Sequence, residues 1–260
     1  MRSRPRLLLL CLLLLPGLLR AASPSVLVCG GAMMNGDHFA DSTLALMREH
    51  YAGCKRIALV LDATAPAERD HMEQRLQAAF AHLNGARSES LHHLDVAGQR
   101  ALLEKADGIF VGGGETFVLL AALYRTGQLA LIRARVAAGV PYGGSSAGAN
   151  VAGLRIGTTN DFPTADIPSR ESLGLFPAVI NPHHPRPALA TDFKGRADKI
   201  AGYLKFNPTE TVLGLGNTSI ARLHDGRVTL AVGEGWLYRA DRVRALQPGD
   251  EMVELEHTGS

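Results

Sequence analysis

The stretch DGIFVGGGETFVLL, residues 107–120, decides the fold. Ile109, Phe110 and Val111 form a short apolar run with no polar alternation, as expected of a strand buried on both faces. Three glycines end the run. Apolar residues then resume at helical spacing from Thr116. A buried strand that turns through glycines into a helix is the unit of a parallel α/β sheet.

The same unit repeats outward on both sides. SVLVCGG (25–31) is a short strand ending in glycines, and DSTLALMREHY (41–51) is helical after an Asp/Ser cap. KRIALVLDAT (55–64) is a continuous strand, followed by the helix PAERDHMEQRLQAAFAHL (66–83) with Pro66 near its first turn. SLHHLDV (90–96) reads as a weaker strand and GQRALLEKA (98–106) as a short helix. Helices are expected over 115–127 and 129–139, then a strand over 140–145. Beyond about residue 190 the pattern is less regular. ADKIAGYLK (197–205) is helical; TVLGLGN, TSIARLHDGRVTLAVG and GWLYR read as strands, with Asp225 and Gly226 as a hairpin turn. The alternation predicts a mostly parallel sheet with helices on both faces and an extra C-terminal β-hairpin.

The chain has 260 residues, 46% hydrophobic and 20% charged, with a net charge of +2. That suits one large core and supplies no basic block for a nucleic-acid groove. The ten histidines are scattered, so composition points to no metal site. Residues 1–23 read as a secretory signal peptide: three arginines, the apolar run 7–15 broken by Pro16 and Gly17, then small residues at Ala21, Ala22 and Ser23. Cleavage is expected near residues 22–23, leaving residues 24–260 as one exported α/β domain, periplasmic or secreted, without stable membrane insertion. The apolar run is shorter than the about 20 residues a spanning helix needs. Cys29 and Cys54 remain after the leader, and both flank apolar runs, so buried thiols are expected rather than a bridge.

Ligand sites in open parallel sheets lie beyond the carboxyl ends of the strands. Two glycine-rich strand ends, VGGGET and YGGSSAGAN, therefore face one crevice. GSSAG (144–148) fits G-x-S-x-G with Ser146 central, the pattern of a nucleophile elbow. Ser145, at the variable position, is expected to point away from the crevice. A helix beginning at Ala147 would present backbone N–H groups to an oxyanion beside Ser146. A nucleophilic serine also needs a base and an orienting group. Asp161 in GTTNDFP and His183 or His184 in VINPHHP are the candidates. Spacing leaves their convergence open: a packed Gly/Ser turn, a surface Asp and a structural His would give the same letters.

Taken together and in order, DGIFVGGGETFVLL, GGSSAGAN, GTTNDFP, LGLFPAVINPHH, KGRADKI and TVLGLGNTSI resemble the aspartyl dipeptidase family, peptidase family S51. The resemblance spans residues 25–235. It implies a flavodoxin-like α/β fold similar to class I glutamine amidotransferase domains, with serine in place of cysteine. It also implies cleavage of dipeptides with an N-terminal aspartate and no metal or organic cofactor. By motif position, Ser146 would be the nucleophile, His183 the general base and Asp161 the orienting acid, with Gly114 and Ala147 as oxyanion donors. Arg196 in KGRADKI matches a family arginine and is the first choice to bind the substrate aspartate, with Arg186 second. The expected partner is a small acidic peptide, and a homodimer is compatible with the resemblance.

Three departures bear on specificity. Glu115 stands where the family has Asn, and would repel an aspartate unless it binds the α-amino group. Ser145 replaces a Trp. The family's LPEG reads LGN at residues 215–217, without the glutamate sometimes proposed as third triad member, which favours Asp161 as the acid. A cyanophycinase-like acidic-peptide hydrolase and a catalytically inactive binding protein of the same fold are the alternatives.

Overall fold

The computed structural model describes residues 23–256; the expected signal peptide lies outside the described residues but for Ser23. The strands are β1 (Val26–Cys29), β2 (Met34–Asn35), β3 (His38–Phe39), β4 (Arg56–Val60), β5 (Arg87–Ser90), β6 (Gly108–Val111), β7 (Tyr142–Ser145), β8 (Val179–Asn181), β9 (Val212–Leu215), β10 (Ile220–His224), β11 (Arg227–Val232), β12 (Gly235–Arg239) and β13 (Arg242–Leu246). The helices are α1 (Asp41–His50), α2 (Arg69–Asn84), α3 (Val96–Lys105), α4 (Thr116–Thr126), α5 (Gln128–Ala137), α6 (Ala147–Ala152) and α7 (Ala190–Phe206).

The main sheet has seven strands in the order β11-β10-β1-β7-β6-β4-β5. β1, β7, β6, β4 and β5 run parallel, and the β10–β11 hairpin closes the edge antiparallel to β1. Successive residues of each strand enter opposite cores. Val26, Val28, Ala58, Val60, Ile109 and Val111 pack on one face with residues of α3, α4, α5 and α6. Leu27, Cys29, Ile57, Leu59 and Phe110 pack on the other with α1 and α2. This double burial is why the strands read as continuous apolar runs. Cys29 and Cys54 are free and buried, as expected. Among the described residues, no single helix is long and apolar enough to cross a membrane.

Three elements differ from the sequence reading. Residues 90–96 are not a strand: β5 is Arg87–Ser90, Leu91–His93 is a 3-10 turn, and α3 starts at Val96. Ladder pairing with β4 ends at Ser90, and the Ser90 amide is bonded to the Glu73 carboxylate of α2. Asp41 does not cap α1; the cap position is Ala40, and no side chain bonds the helix start. The late strands also divide between two sheets. The predicted hairpin is β10–β11, turned by Asp225 and Gly226 with φ of 49° and 78°. β9 and β12 instead join β8 and β13 in a separate four-stranded sheet, β13-β12-β9-β8. A strand pattern gives periodicity but not partner, so the split was illegible.

Two buried histidines make stability pH-dependent. His50, bonded through Nε2 to the Tyr142 carbonyl at 3.0 Å, is pushed down to about 3 by burial. Burial pushes His184 down to about 4, between the Tyr238 hydroxyl and the stacked Trp236 ring. Both stay neutral in the fold at pH values where an unfolded imidazole, pKa about 6.5, takes a proton. Stability is therefore full above about pH 6.5 and falls as pH drops toward 4 and 3, by about 1.4 kcal/mol per unit per histidine. Urea midpoints measured between pH 7.5 and 5 should show this decline, and His184→Gln should flatten it.

Candidate active site

β1, β7 and β6 are neighbours, so their carboxyl ends form one rim. β6 delivers Gly112, Gly113 and Gly114; β7 delivers Ser146; β1 delivers Gly30 and Gly31. The β1 end also sets the spacing of the reactive pair. The Cys29 carbonyl accepts the Ser146 amide at 3.0 Å, and the next carbonyl, Gly30, accepts the His183 amide at 2.9 Å.

Ser146 and His183 both have φ of 54°. Such strain costs on the order of 1–3 kcal/mol per residue and persists where surrounding structure holds it. Its product is a direct contact: Ser146 Oγ lies 2.7 Å from His183 Nε2. The hydroxyl donates and Nε2 accepts, which leaves the proton on Nδ1. Nδ1 in turn is 2.7 Å from Asn217 Oδ1.

The orienting position is thus filled by Asn217, not by Asp161. The Asp161 carboxylate accepts the Thr116 amide at 2.8 Å instead. That amide opens α4, whose cap residue Glu115 makes no side-chain cap bond. An acceptor is needed there, and an anion suits the positive end of the helix. The sequence resemblance presents residues 215–217 as a lost glutamate, and nothing in it marks the Asn217 amide as the substitute. The available signal is positional: Gly216 and Asn217 directly follow β9, making a third strand end with glycine.

The other expected residues are placed as follows. Gly114 has φ of +131°, and a Cβ there would lie 2.1 Å from the Ala63 carbonyl oxygen. Only glycine fits, and the turn is held against Ala63 by the Glu115 amide at 2.9 Å. Glu115 is exposed, and its carboxylate accepts from Thr164 Oγ1 at 3.4 Å. Ala147 opens α6 directly after Ser146. Arg196 spends Nη1 on the loop that carries the histidine, donating to Asn181 Oδ1, the Pro182 carbonyl and the His183 carbonyl at 2.8, 3.1 and 3.3 Å. Burial lowers its pKa. Arg186 pairs with Glu234 at 2.8 Å. His184 is buried, with Nε2 2.8 Å from the Tyr238 hydroxyl. Ser145, expected to point away, donates to the Gly31 carbonyl at 2.6 Å and lines the cavity beside Ser146.

Two cavities meet at His183. The smaller, about 340 Å³, is walled by Gly31, the glycines after β6, Ser145, Ser146, Met33, Met34, Met72, Leu76, Phe110 and Arg75. Arg75, whose Nε donates to the Gly36 carbonyl at 2.9 Å, is the one cation among these. The larger, about 620 Å³, is lined by Arg186, Arg196, Lys199, Asp192, Leu189 and Asn217 among others.

The Asn217 contact makes a specific prediction. A neutral amide fixes the tautomer of His183 but adds no negative charge. Asn217→Asp should raise the acid limb of the kcat/KM–pH profile by about one unit, as a carboxylate beside an imidazole favours its charged form. Asp161→Asn should leave that limb in place, because the Asp161 carboxylate is bonded to the Thr116 amide while Asn217 holds Nδ1. A limb that moves with Asp161 and not with Asn217 would reverse the assignment.

Residues 26–231 match the profile of "Peptidase family S51". A protein of Pasteurella multocida named Peptidase E is 39% identical over 194 residues, covering 73% of this chain and 81% of that one. A Peptidase E of Streptomyces coelicolor is 44% identical over 161 residues, covering 60% and 65%. Among solved structures, a peptidase from an acI-B1 Actinobacterium superposes with a TM-score of 0.69 at 18% identity, over 88% of this chain and 96% of that one.

Proposed function

This chain belongs to peptidase family S51 and is a serine-type peptidase; from that premise we propose that it hydrolyses dipeptides with an N-terminal aspartate through a Ser146–His183–Asn217 relay and an acyl-enzyme. The observation that carries the reading is the 2.7 Å contact between Ser146 Oγ and His183 Nε2 at the head of the crevice. Ser146 Oγ attacks the peptide carbonyl as His183 Nε2 takes its proton. The carbonyl oxygen becomes an oxyanion that the Gly114 and Ala147 amides receive, a contribution of about 3–4 kcal/mol per such donor to barrier lowering. His183 then protonates the departing amine. Water, deprotonated by the same nitrogen, releases the aspartate and restores Ser146.

The two cavities fit the two halves of such a substrate. The first side chain enters the small cavity beside Ser146, where Arg75 pairs with its carboxylate, and Glu115 takes the α-ammonium. The second residue crosses His183 into the larger cavity, where Arg186, Arg196 and Lys199 outnumber Asp192 and the Glu234 that pairs with Arg186, and attract the C-terminal carboxylate. Arg75 thus takes the aspartate-binding role expected of Arg196, whose guanidinium braces the histidine loop. A carboxylate receptor one residue past the scissile bond makes a dipeptidase rather than an endopeptidase. The n-region, apolar run and small residues of the N-terminus support export of the chain.

The test compares Asp-Leu, Asp-Leu amide, Met-Leu and a branched Asp–Arg polymer. Asp-Leu should be the best substrate, its amide should have a raised KM, and Arg75→Met should cut kcat/KM for Asp-Leu by about 10²-fold, the order lost with a charge-assisted pair of 2–3 kcal/mol. Preference for Met-Leu would point to the methionine-rich wall as the selector and overturn the aspartate reading. Cleavage of the polymer alone would favour the cyanophycinase-like reading. Binding without turnover of any peptide would leave a binding protein.

A further inference from the structure

We propose that Asp70, Glu73, His92 and His93 form a zinc site that fastens the first turn of α2 to the turn after β5. Asp70 and Glu73 are one helical turn apart on α2, and His92 and His93 end the 3-10 turn Leu91–His93. Their donor atoms converge. Asp70 Oδ1 is 2.8 Å from His92 Nε2 and 3.8 Å from His93 Nε2, and Glu73 Oε2 is 2.7 Å from His93 Nε2. The ligand atoms of Asp70, His92 and His93 all lie within 4.8 Å of one another. Tetrahedral zinc with bonds of about 2.0–2.1 Å needs donors about 3.3 Å apart, so Asp70, His92 and His93 would adjust around the ion as three ligands, while Glu73, which lies outside that 4.8 Å set but touches His93 Nε2, would have to swing its carboxylate in to become the fourth.

The surroundings are those of a metal site as well as of ion pairs. Glu73 Oε1 is held by the Ser90 amide at 2.8 Å and Gln77 Nε2 at 3.1 Å, which leaves Oε2 for the ion. His92 Nδ1 is 2.6 Å from Ser90 Oγ, a contact that holds the ring with Nε2 toward Asp70; zinc would displace the Nε2 proton that the Asp70 carboxylate now accepts. Glu73 and His92 are largely buried, at 8% and 10% side-chain exposure, whereas Asp70 and His93 are 75% and 53% exposed and leave an entry path. Two imidazoles and two carboxylates carry a charge of −2, which a divalent ion cancels. Imidazole donors select zinc over calcium or magnesium. The same helix, α2, carries Met72, Arg75 and Leu76 of the smaller cavity, so the ion would steady that wall.

The site shares no residue with the proposed peptidase reaction and is tested on the full chain. After stripping with a chelator, equilibrium dialysis should return about one Zn²⁺ per chain and a raised Tm, and Co²⁺ should give the visible spectrum of a tetrahedral site. Asp70→Ala and His93→Ala, both at exposed positions, should keep a wild-type far-ultraviolet spectrum, weaken zinc at least tenfold and abolish the cobalt bands. A stripped protein that takes up no zinc, or variants that bind it as tightly as wild type, would overturn the proposal.

Discussion

Ser146→Ala is expected to lower kcat/KM for the best dipeptide by at least about 10⁴-fold while leaving the melting curve near wild type. The hydroxyl's partner is His183 Nε2 at 2.7 Å, and the Ser146 amide stays bonded to the Cys29 carbonyl whatever the side chain. Removing the nucleophile of a serine hydrolase eliminates the acyl-enzyme route and leaves the catalysis that oxyanion donors and binding supply alone. KM should change little, because the lost contact is made to the histidine. Ser145→Ala is the matched control. Its hydroxyl is turned to the Gly31 carbonyl, so activity should fall far less. Steady-state kinetics on the two variants separates the adjacent serines directly.

Gly31→Ala is expected to cost about 10²-fold in kcat without unfolding the protein. A Cβ at residue 31 would lie 2.2 Å from Asn217 Oδ1, 2.4 Å from His183 Cε1 and 2.6 Å from His183 Nδ1. None of these separations is tolerable, so the imidazole and the amide must move apart or swing away. Their contact is short and specific, and misplacing a catalytic group by about 1 Å typically costs on the order of 10²-fold. Gly202→Ala, on α7 with no atom within 4 Å of the added carbon, should leave kcat unchanged. Loss of kcat in Gly31→Ala with unchanged Tm would show that β1 sets the relay geometry. Equal loss of Tm would make Gly31 a folding residue instead.

The parallel core was legible because burial on both faces erases polar alternation: β1, β4 and β6 read as uninterrupted apolar runs, each ending in a turn. Ser146 and His183 were legible for a related reason. Both sit where a buried strand ends, the location at which a side chain can leave the core and meet solvent. Asp161 was misplaced because a carboxylate in a polar loop looks the same whether it orients an imidazole or caps a distant helix. The choice is made by α4, whose first amide lacks a local acceptor. The glycine-bearing strand end before Asn217 is visible in the sequence, but that strand, β9 (Val212–Leu215), belongs to the second sheet, and sequence does not say that the ends of the two sheets meet. The His92–His93 pair was read as part of a strand, where adjacent side chains point to opposite faces. In the 3-10 turn both rings reach the Asp70 carboxylate.

In the proposed reaction Ser146 is a nucleophile activated by His183. A fluorophosphonate that reacts with activated serines tests it without assuming a substrate. After labelling of the full chain, digestion and mass spectrometry, one adduct is expected, on Ser146, absent in Ser146→Ala and formed much more slowly in His183→Gln. An adduct on Ser145 or any other serine, or labelling of Ser146 at the same rate in His183→Gln, would contradict it.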